Sequence, residues 1–352
     1  MRAVVLRDFG GPEVLDLEEV PDPTPEAGEV VVKVHAVTVN RTLDLKVREN
    51  GTARGVTLPH VLGVDPAGVV VALSGDVRSV EMGARVAVLP HIRCGQCEFC
   101  TMGREELCPR SRHIGVHRWG GYAEYVSVPA KNLVPLPDEL PFADAAVILR
   151  HAPTAFNLLR GLAGLRAGEW VLVMGATGGL GAAGMQVAKL LGATVIAGAG
   201  ATARVDSALA NGADHGVDYR TDDLAEEVER LTGGRGVDVV FENISDPALW
   251  PKAFASLAHS GRLVTAGAHG GGTVELDVRR LYGRRLRIIG GAGASKPDIA
   301  SALDAAAQGK LRAVIDRIMP LHAAADAHRL FEKEVVLGKV VLDPTMARGD
   351  AG

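Results

Sequence analysis

The stretch EWVLVMGATGGLGAAGMQVAKLLGATVIAGA, residues 169–199, narrows the possible folds more than any other part of the chain. WVLVM is an uninterrupted apolar run and reads as a buried strand. GATGGLG (Gly175–Gly181) reads as a tight turn, the text to about Leu191 as a helix, and VIAGA as a second strand. Strand, turn, helix and strand at this spacing make a right-handed crossover onto a parallel sheet, so the fold class is α/β. A helix that opens directly on glycines turns its unpaired N–H groups toward an anion, and this context suits the pyrophosphate of a dinucleotide. Gly178 and Gly179 would let the backbone approach the phosphates, and Gly181 would let helix and strand pack closely. The alternative is a tight turn that binds nothing.

The end of the second strand bears on which dinucleotide. A NAD site usually carries Asp or Glu there, on the ribose 2′-hydroxyl. Here the text is VIAGAGATAR, with no acid between Val195 and Arg204. A carboxylate would repel a 2′-phosphate; its absence, with Arg204 nearby, points to NADPH. The competing reading makes Arg204 a solvated helix residue.

The remaining text divides near Leu140. From Met1 to about Ala130 short Val-rich runs (RAVVL, EVVVKVHAVTV, GVVVAL, RVAVL, YAEYVSV) alternate with Gly and Pro, as strands of an all-β unit do. Beyond PFADAAVILRHAPTAFNLLRGLAGL helical periodicity dominates, and VDVVFENI and GRLVTAGA add strands. SKPDIASALDAAAQGKLRAVI opens with Ser295 as N-cap and Asp298 three residues later. LHAAADAHRLFEKE is a further helix and GKVVLDP a last strand.

All four cysteines of the 352-residue chain lie in CGQCEFCTMGREELC, as Cys94, Cys97, Cys100 and Cys108. The spacing C-x2-C-x2-C-x7-C gathers four thiolates around one point, which is how zinc is held in a closed structural site. Two local disulfides would need an oxidising compartment, and a redox or iron site is a further alternative. MRAVVLRDFG lacks the apolar run of a signal peptide, so a cytoplasmic protein is expected. The net charge of -4 offers no basic field for nucleic acid. No apolar run reaches the roughly 20 residues a bilayer requires.

Taken together these features resemble the zinc-type medium-chain dehydrogenase/reductase superfamily, in its quinone-oxidoreductase-like branch. The resemblance covers nearly the whole chain, from MRAVVLRDFGGPEVL through LPHVLGVDPAGVV, the cysteine lobe, the glycine turn and GADHGVDYR to GKVVL. It implies a GroES-like β domain from residues 1–152 with 292–352, carrying a zinc lobe at 90–110. A Rossmann domain, a doubly wound parallel sheet, is inserted at 153–291, and the active site lies in a cleft. Homodimers or homotetramers joined at the Rossmann edge are implied as well. The positions that hold a 2′-phosphate in quinone-reductase relatives fall on Gly200, Arg204 and Tyr219. Asn243, Ile244, Gly267 and Ala268 fall on the nicotinamide side, and Lys339 near the cofactor from the last strand. Thr154, Thr177 and Leu180 join Gly178 and Gly179 among the cofactor-binding residues.

The departures from the zinc alcohol dehydrogenase pattern concern the catalytic metal. Where that pattern has Cys, a His in a G-H-E triplet, and a further Cys or acid, this chain offers Asn40, Val64 of Gly63-Val64-Asp65, and Arg150. Valine and a guanidinium cannot ligate zinc, so one structural zinc and no catalytic one is expected. Hydride from NADPH would then go to a quinone or an α,β-unsaturated carbonyl, whose phenolate or enolate needs only donors or a cation nearby. The catalytic candidates are Asn40, Arg150, His151 and Asp65, with Arg41 a further donor. Arg150 faces the substrate, pairs with Asp65 or Asp44, or does both. His151 either donates a proton or is structural, and Asn40 either binds substrate or closes a turn. His91, His113 and His117 are expected at the surface, His91 or His117 otherwise facing the cleft. Trp119 and Tyr122 are expected as strand and core aromatics, the alternative being a wall of the substrate site. The competing functions are a zinc alcohol dehydrogenase with relocated ligands and an NADPH-binding protein without turnover.

Overall fold

The computed structural model describes residues 1–333 and 336–347. The chain begins with β1 (Arg2–Leu6), β2 (Leu15–Glu19), β3 (Glu29–Thr38), α1 (Lys46–Asn50), β4 (His60–Val61), β5 (Ala67–Leu73) and β6 (Arg85–Val88). The cysteine lobe lies between β7 (His91–Ile92) and β8 (Arg112–His113) and holds α2 (Glu98–Thr101); β9 (Tyr125–Pro129), β10 (Leu133–Pro135) and α3 (Phe142–Phe156) follow. Strands and helices then alternate: β11 (Trp170–Met174), α4 (Gly179–Leu190), β12 (Thr194–Ala199), α5 (Thr202–Ala210), β13 (His215–Asp218), α6 (Leu224–Leu231) and β14 (Val237–Glu242). The alternation continues through α7 (Leu249–Ala255), β15 (Leu257–Thr265), α8 (Val278–Gly283), β16 (Arg287–Gly290) and α9 (Lys296–Ala307). Last come β17 (Ile315–Pro320), α10 (Ala324–Lys333) and β18 (Lys339–Asp343). Among the described residues no helix is long and apolar enough to cross a membrane.

The chain divides into two units, Met1–Arg150 with 315–352, and His151–Val314. The first boundary falls inside α3. The second falls later than the 291/292 division that the sequence suggests, because α9 and the segments beside it are bonded into the second unit. Arg160 pairs with Asp298 at 2.7 Å, Asn157 Nδ2 donates to the Gly293 carbonyl at 3.1 Å, and Gln186 Oε1 accepts from the Arg312 backbone at 2.8 Å. Local periodicity identifies α9 as a helix but carries no information about its neighbours. Of the expected segment 292–352, residues 334, 335 and 348–352 lie outside the described residues.

The first unit is built on a seven-stranded sheet in the order β10-β6-β5-β3-β18-β17, with β9 also paired to β3, and on a three-stranded sheet β2-β1-β4. Val30, Val32, Val34 and Val37 of β3 are fully buried, which is why that strand reads as a near-continuous apolar run. β18 pairs antiparallel with β3, Val341 opposite Thr38, and so returns the C-terminal segment to the N-terminal sheet. The second unit is a six-stranded parallel sheet in the order β13-β12-β11-β14-β15-β16. Strand order reverses direction between β11 and β14, and ligands of such sheets bind outside the carboxyl ends at that point.

Candidate functional site

In the second unit the glycine turn lies at that reversal. α4 starts at Gly179 with Gly178 as N-cap, no side chain caps it, and no acid occupies its first turn. Its first N–H groups are therefore left for an anion, favoured by the helix dipole. A Cβ on Gly181 would stand 2.2 Å from the Gly175 carbonyl oxygen, so close packing of turn and helix requires glycine there. Thr177 is buried, Leu180 half-buried, and Thr154 half-buried on α3. Asn243 Nδ2 donates to the carbonyl of Met174 at the end of β11. A Cβ on Gly175 would lie 3.1 Å from Ile244, so the turn after β14 abuts the glycine turn. Gly267 approaches the Asn243 carbonyl closely, while Ala268 is exposed.

At the other side of the turn, β12 runs into Gly200, and a Cβ there would meet the Tyr219 ring at 2.7 Å. Arg204 on α5 is half-buried, with its Nε out of solvent and without a hydrogen-bond partner. Among the described residues no acid pairs with it. Asp218, next to Tyr219, accepts from the Arg220 backbone N–H at 3.1 Å and from Thr202 Oγ1 at 3.3 Å. Gly200, Arg204 and Tyr219 are thus brought to one corner, with the Arg204 charge acting on the Tyr219 ring.

In the first unit buried Asn40, Asp65 and Lys339 form one knot with Thr38 and Asp44, and half-buried Arg150 joins it. Asp65 accepts from Thr38 N at 3.0 Å and Thr38 Oγ1 at 2.7 Å, and Arg150 Nε stands 3.7 Å from its Oδ2. Asn40 Nδ2 reaches Asp65 at 3.1 Å and Asp44 at 3.2 Å, while its Oδ1 accepts from Lys339 Nζ at 2.8 Å. Lys339 also donates to the Val39 carbonyl at 2.8 Å. Burial, and then the charge of Asp65, push the Asp44 carboxyl up to about 7; burial pulls Lys339 down to about 8. Val64 is fully buried in the apolar core. Two acids are therefore matched by two cations at the place where the resemblance would put a catalytic zinc, and this donor set does not suit a dication. Arg150 does pair with Asp65, one of the two roles its position allows. His151 is half-buried and belongs to the second unit. Arg41 Nη2 donates to the Phe331 carbonyl at 3.0 Å.

Two readings are corrected here. His91, His113 and His117 are half-buried and packed on one another rather than free at the surface: His91 and His113 rings meet at 4.3 Å, and the His113 N–H donates to His117 Nδ1 at 2.8 Å. Burial holds His91 near 2 and His113 near 4, with Arg150 adding to both, so these imidazoles stay neutral. Trp119 is 38% exposed, whereas Tyr122 is fully buried with its hydroxyl 3.1 Å from His328 Nε2. The sequence reading gave no hint of the Tyr122–His328 pair or of Lys339 as a partner of Asn40. The one available signal was a lysine inside the apolar strand KVVLD.

The cysteine lobe gathers all four Sγ atoms within 4.8 Å of one another. Cys94 Sγ is 3.5 Å from that of Cys108 and 3.9 Å from that of Cys100. A tetrahedron of zinc–thiolate bonds of ~2.3 Å has edges of ~3.8 Å, whereas a disulfide requires ~2.05 Å. The donors and their spacing fit one closed tetrahedral zinc. Elemental analysis is expected to find about one zinc per chain. Cys97→Ser is expected to release it and cost more than about 2 kcal/mol in denaturant unfolding; full zinc retention would refute this.

Residues 26–138 match the family model described as alcohol dehydrogenase GroES-like domain, and residues 179–308 the one described as zinc-binding dehydrogenase. The chain belongs to the zinc-type medium-chain dehydrogenase/reductase superfamily. It is 33% identical over 351 residues to a NAD-dependent alcohol dehydrogenase of Sulfolobus acidocaldarius, covering 98% of this chain and 100% of that protein. The quinone oxidoreductase of Homo sapiens is 31% identical over 350 residues, 97% of each chain. A crystal structure of a NAD-dependent alcohol dehydrogenase matches with TM-score 0.90 and 41% identity over 97% of this chain and 99% of that one.

Proposed function

We propose that this member of the superfamily is an NADPH-dependent reductase that passes hydride to a quinone or an α,β-unsaturated carbonyl without a catalytic zinc. The observation that carries the reading is the knot of Asn40, Asp65, Arg150 and Lys339, whose two cations occupy the surroundings of the acids. Among the described residues the knot offers cations and amide donors where a Lewis acid would need metal ligands, which favours an acceptor that carries its own electron sink. The bound nicotinamide supplies the hydride. Arg150 and His151 are assigned to the acceptor oxygen and the proton, Asn40 to orientation, and Asp65 to holding Arg150 and Asn40. The preference for NADPH is supported by Arg204, which has no acidic partner among the described residues, and by Tyr219 beside Gly200.

The test follows NADPH and NADH oxidation against a naphthoquinone, a 2-enal and the matching saturated aldehyde. Turnover of the first two with NADPH, and none of the third, is expected. Reduction of the saturated aldehyde would overturn the zinc-free site. The second reading, a NAD-dependent alcohol dehydrogenase, is favoured by the names of the relatives, and two zincs per chain would support it. NADPH binding without turnover of any acceptor would instead indicate a non-catalytic binding protein.

Assembly as a homodimer or homotetramer through the edge of the second sheet belongs to the same proposal. It is supported by Val278 at 58%, Tyr282 at 72% and Ile288 at 36% exposure on and beside the edge strand β16. Four cysteines that form no disulfide accord with a reducing, cytoplasmic setting.

A further inference from the structure

The turn that ends β14 is held by an acid that plays no part above. Glu242 is 2% exposed, and its carboxylate accepts from the Ile244 N–H at 2.9 Å and from the Ser245 N–H at 2.9 and 3.1 Å. Thr265 Oγ1, at the end of β15, lies 3.4 Å away as a third donor. Ser245 Oγ is 3.3 Å from the carboxylate and 2.7 Å from the Gly267 carbonyl, so its single proton serves Gly267. Ser245 adopts φ +54°, a left-handed conformation that a side chain disfavours and that the surroundings must impose. Among the described residues no lysine or arginine pairs with Glu242, and burial pushes its carboxyl up. A buried acid without a cation is retained at a cost, and what it does here is fix two adjacent N–H groups and thereby one turn.

Which half of a dinucleotide that turn meets follows from the topology. The glycine turn after β11 takes the pyrophosphate, and Arg204 and Tyr219 lie on the β12 side, which leaves the nicotinamide half to the ends of β14 and β15. We propose that Glu242 is a positioning residue for the nicotinamide half of the cofactor, acting through the Asn243–Ser245 turn and, by way of Ser245, the Gly267 segment. This rests on the dinucleotide reading but not on the choice between NADPH and NADH.

The test measures direct binding to the full chain by calorimetry, without acceptor, using whichever of NADPH and NADH the wild type binds more tightly. The matching fragment without nicotinamide, ADP-ribose or its 2′-phosphate, is titrated alongside. Glu242→Gln, which keeps one acceptor oxygen for the Ile244 and Ser245 N–H groups but sets an NH2 donor where Oε2 now accepts from Ser245 N–H and Thr265 Oγ1, is expected to weaken dinucleotide binding about tenfold and fragment binding less than about twofold. Ser245→Ala, which removes only the link to Gly267, is expected to act in the same selective direction and serves if Glu242→Gln fails to fold. Unchanged dinucleotide affinity, or equal losses for dinucleotide and fragment, would overturn the assignment. A wild type that binds NADH but not NADPH overturns only the cofactor preference. Binding of neither overturns both readings.

Discussion

Arg204→Glu is expected to raise the Kd for NADPH about a hundredfold and to leave that for NADH within about threefold. The guanidinium is half-buried, its Nε is shielded from water, and no acid among the described residues neutralises it. A 2′-phosphate beside it would gain charge-assisted hydrogen bonds that a 2′-hydroxyl cannot match. A glutamate would replace that attraction by repulsion and would offer the ribose hydroxyl an acceptor. Arg204→Ala should fall between, at about tenfold for NADPH. Fluorescence titration with both dinucleotides decides the matter. If the two lose affinity equally, Arg204 acts on the fold of α5 and the NADPH preference must be withdrawn.

Lys339→Met is expected to destabilise the protein by about 3–5 kcal/mol at about pH 7.5, between the two values at which Asp44 loses and Lys339 keeps its proton, because it leaves the acids of the buried knot with only Arg150 as counter-charge. The loss should shrink toward about pH 6. Asp44 is held up to about 7, above its unfolded value, so its contribution to stability is present below the unfolded pKa and is lost as pH rises through about 7. Lys339 is held down to about 8; its contribution is present above the unfolded pKa of 10.5 and lost as pH falls through about 8. Lys339 and Asp44 interact, so without the ammonium Asp44 rises further and keeps its proton to higher pH, which relieves the penalty on the acid side. Lys339→Met combined with Asp44→Asn should recover much of the loss at the higher pH. Denaturant midpoints at the two pH values measure this. A loss that is independent of pH would mean that Lys339 matters through its packing rather than its charge.

The sequence by itself determined those features whose physical cause is local. The strand, glycine turn and helix of residues 170–190 follow from an apolar run, a backbone that needs Gly181, and a period of three to four. The same holds for the Ser295 and Asp298 capping box, whose two bonds close within one turn, and for the cysteine lobe, where fifteen residues of chain bring four thiols together. The tertiary structure alone decided what depends on distant pairs. Lys339 and Asn40 are 299 residues apart, and only the pairing of β18 with β3 makes them neighbours. The same pairing turns a lysine in an apolar strand into the counter-charge of a buried carboxylate. The fate of His91 and His113, neutral through burial rather than solvated, and the membership of α9 in the second unit have the same origin. Burial and charge compensation are properties of the assembled neighbourhood, and no stretch of residues read in isolation carries them.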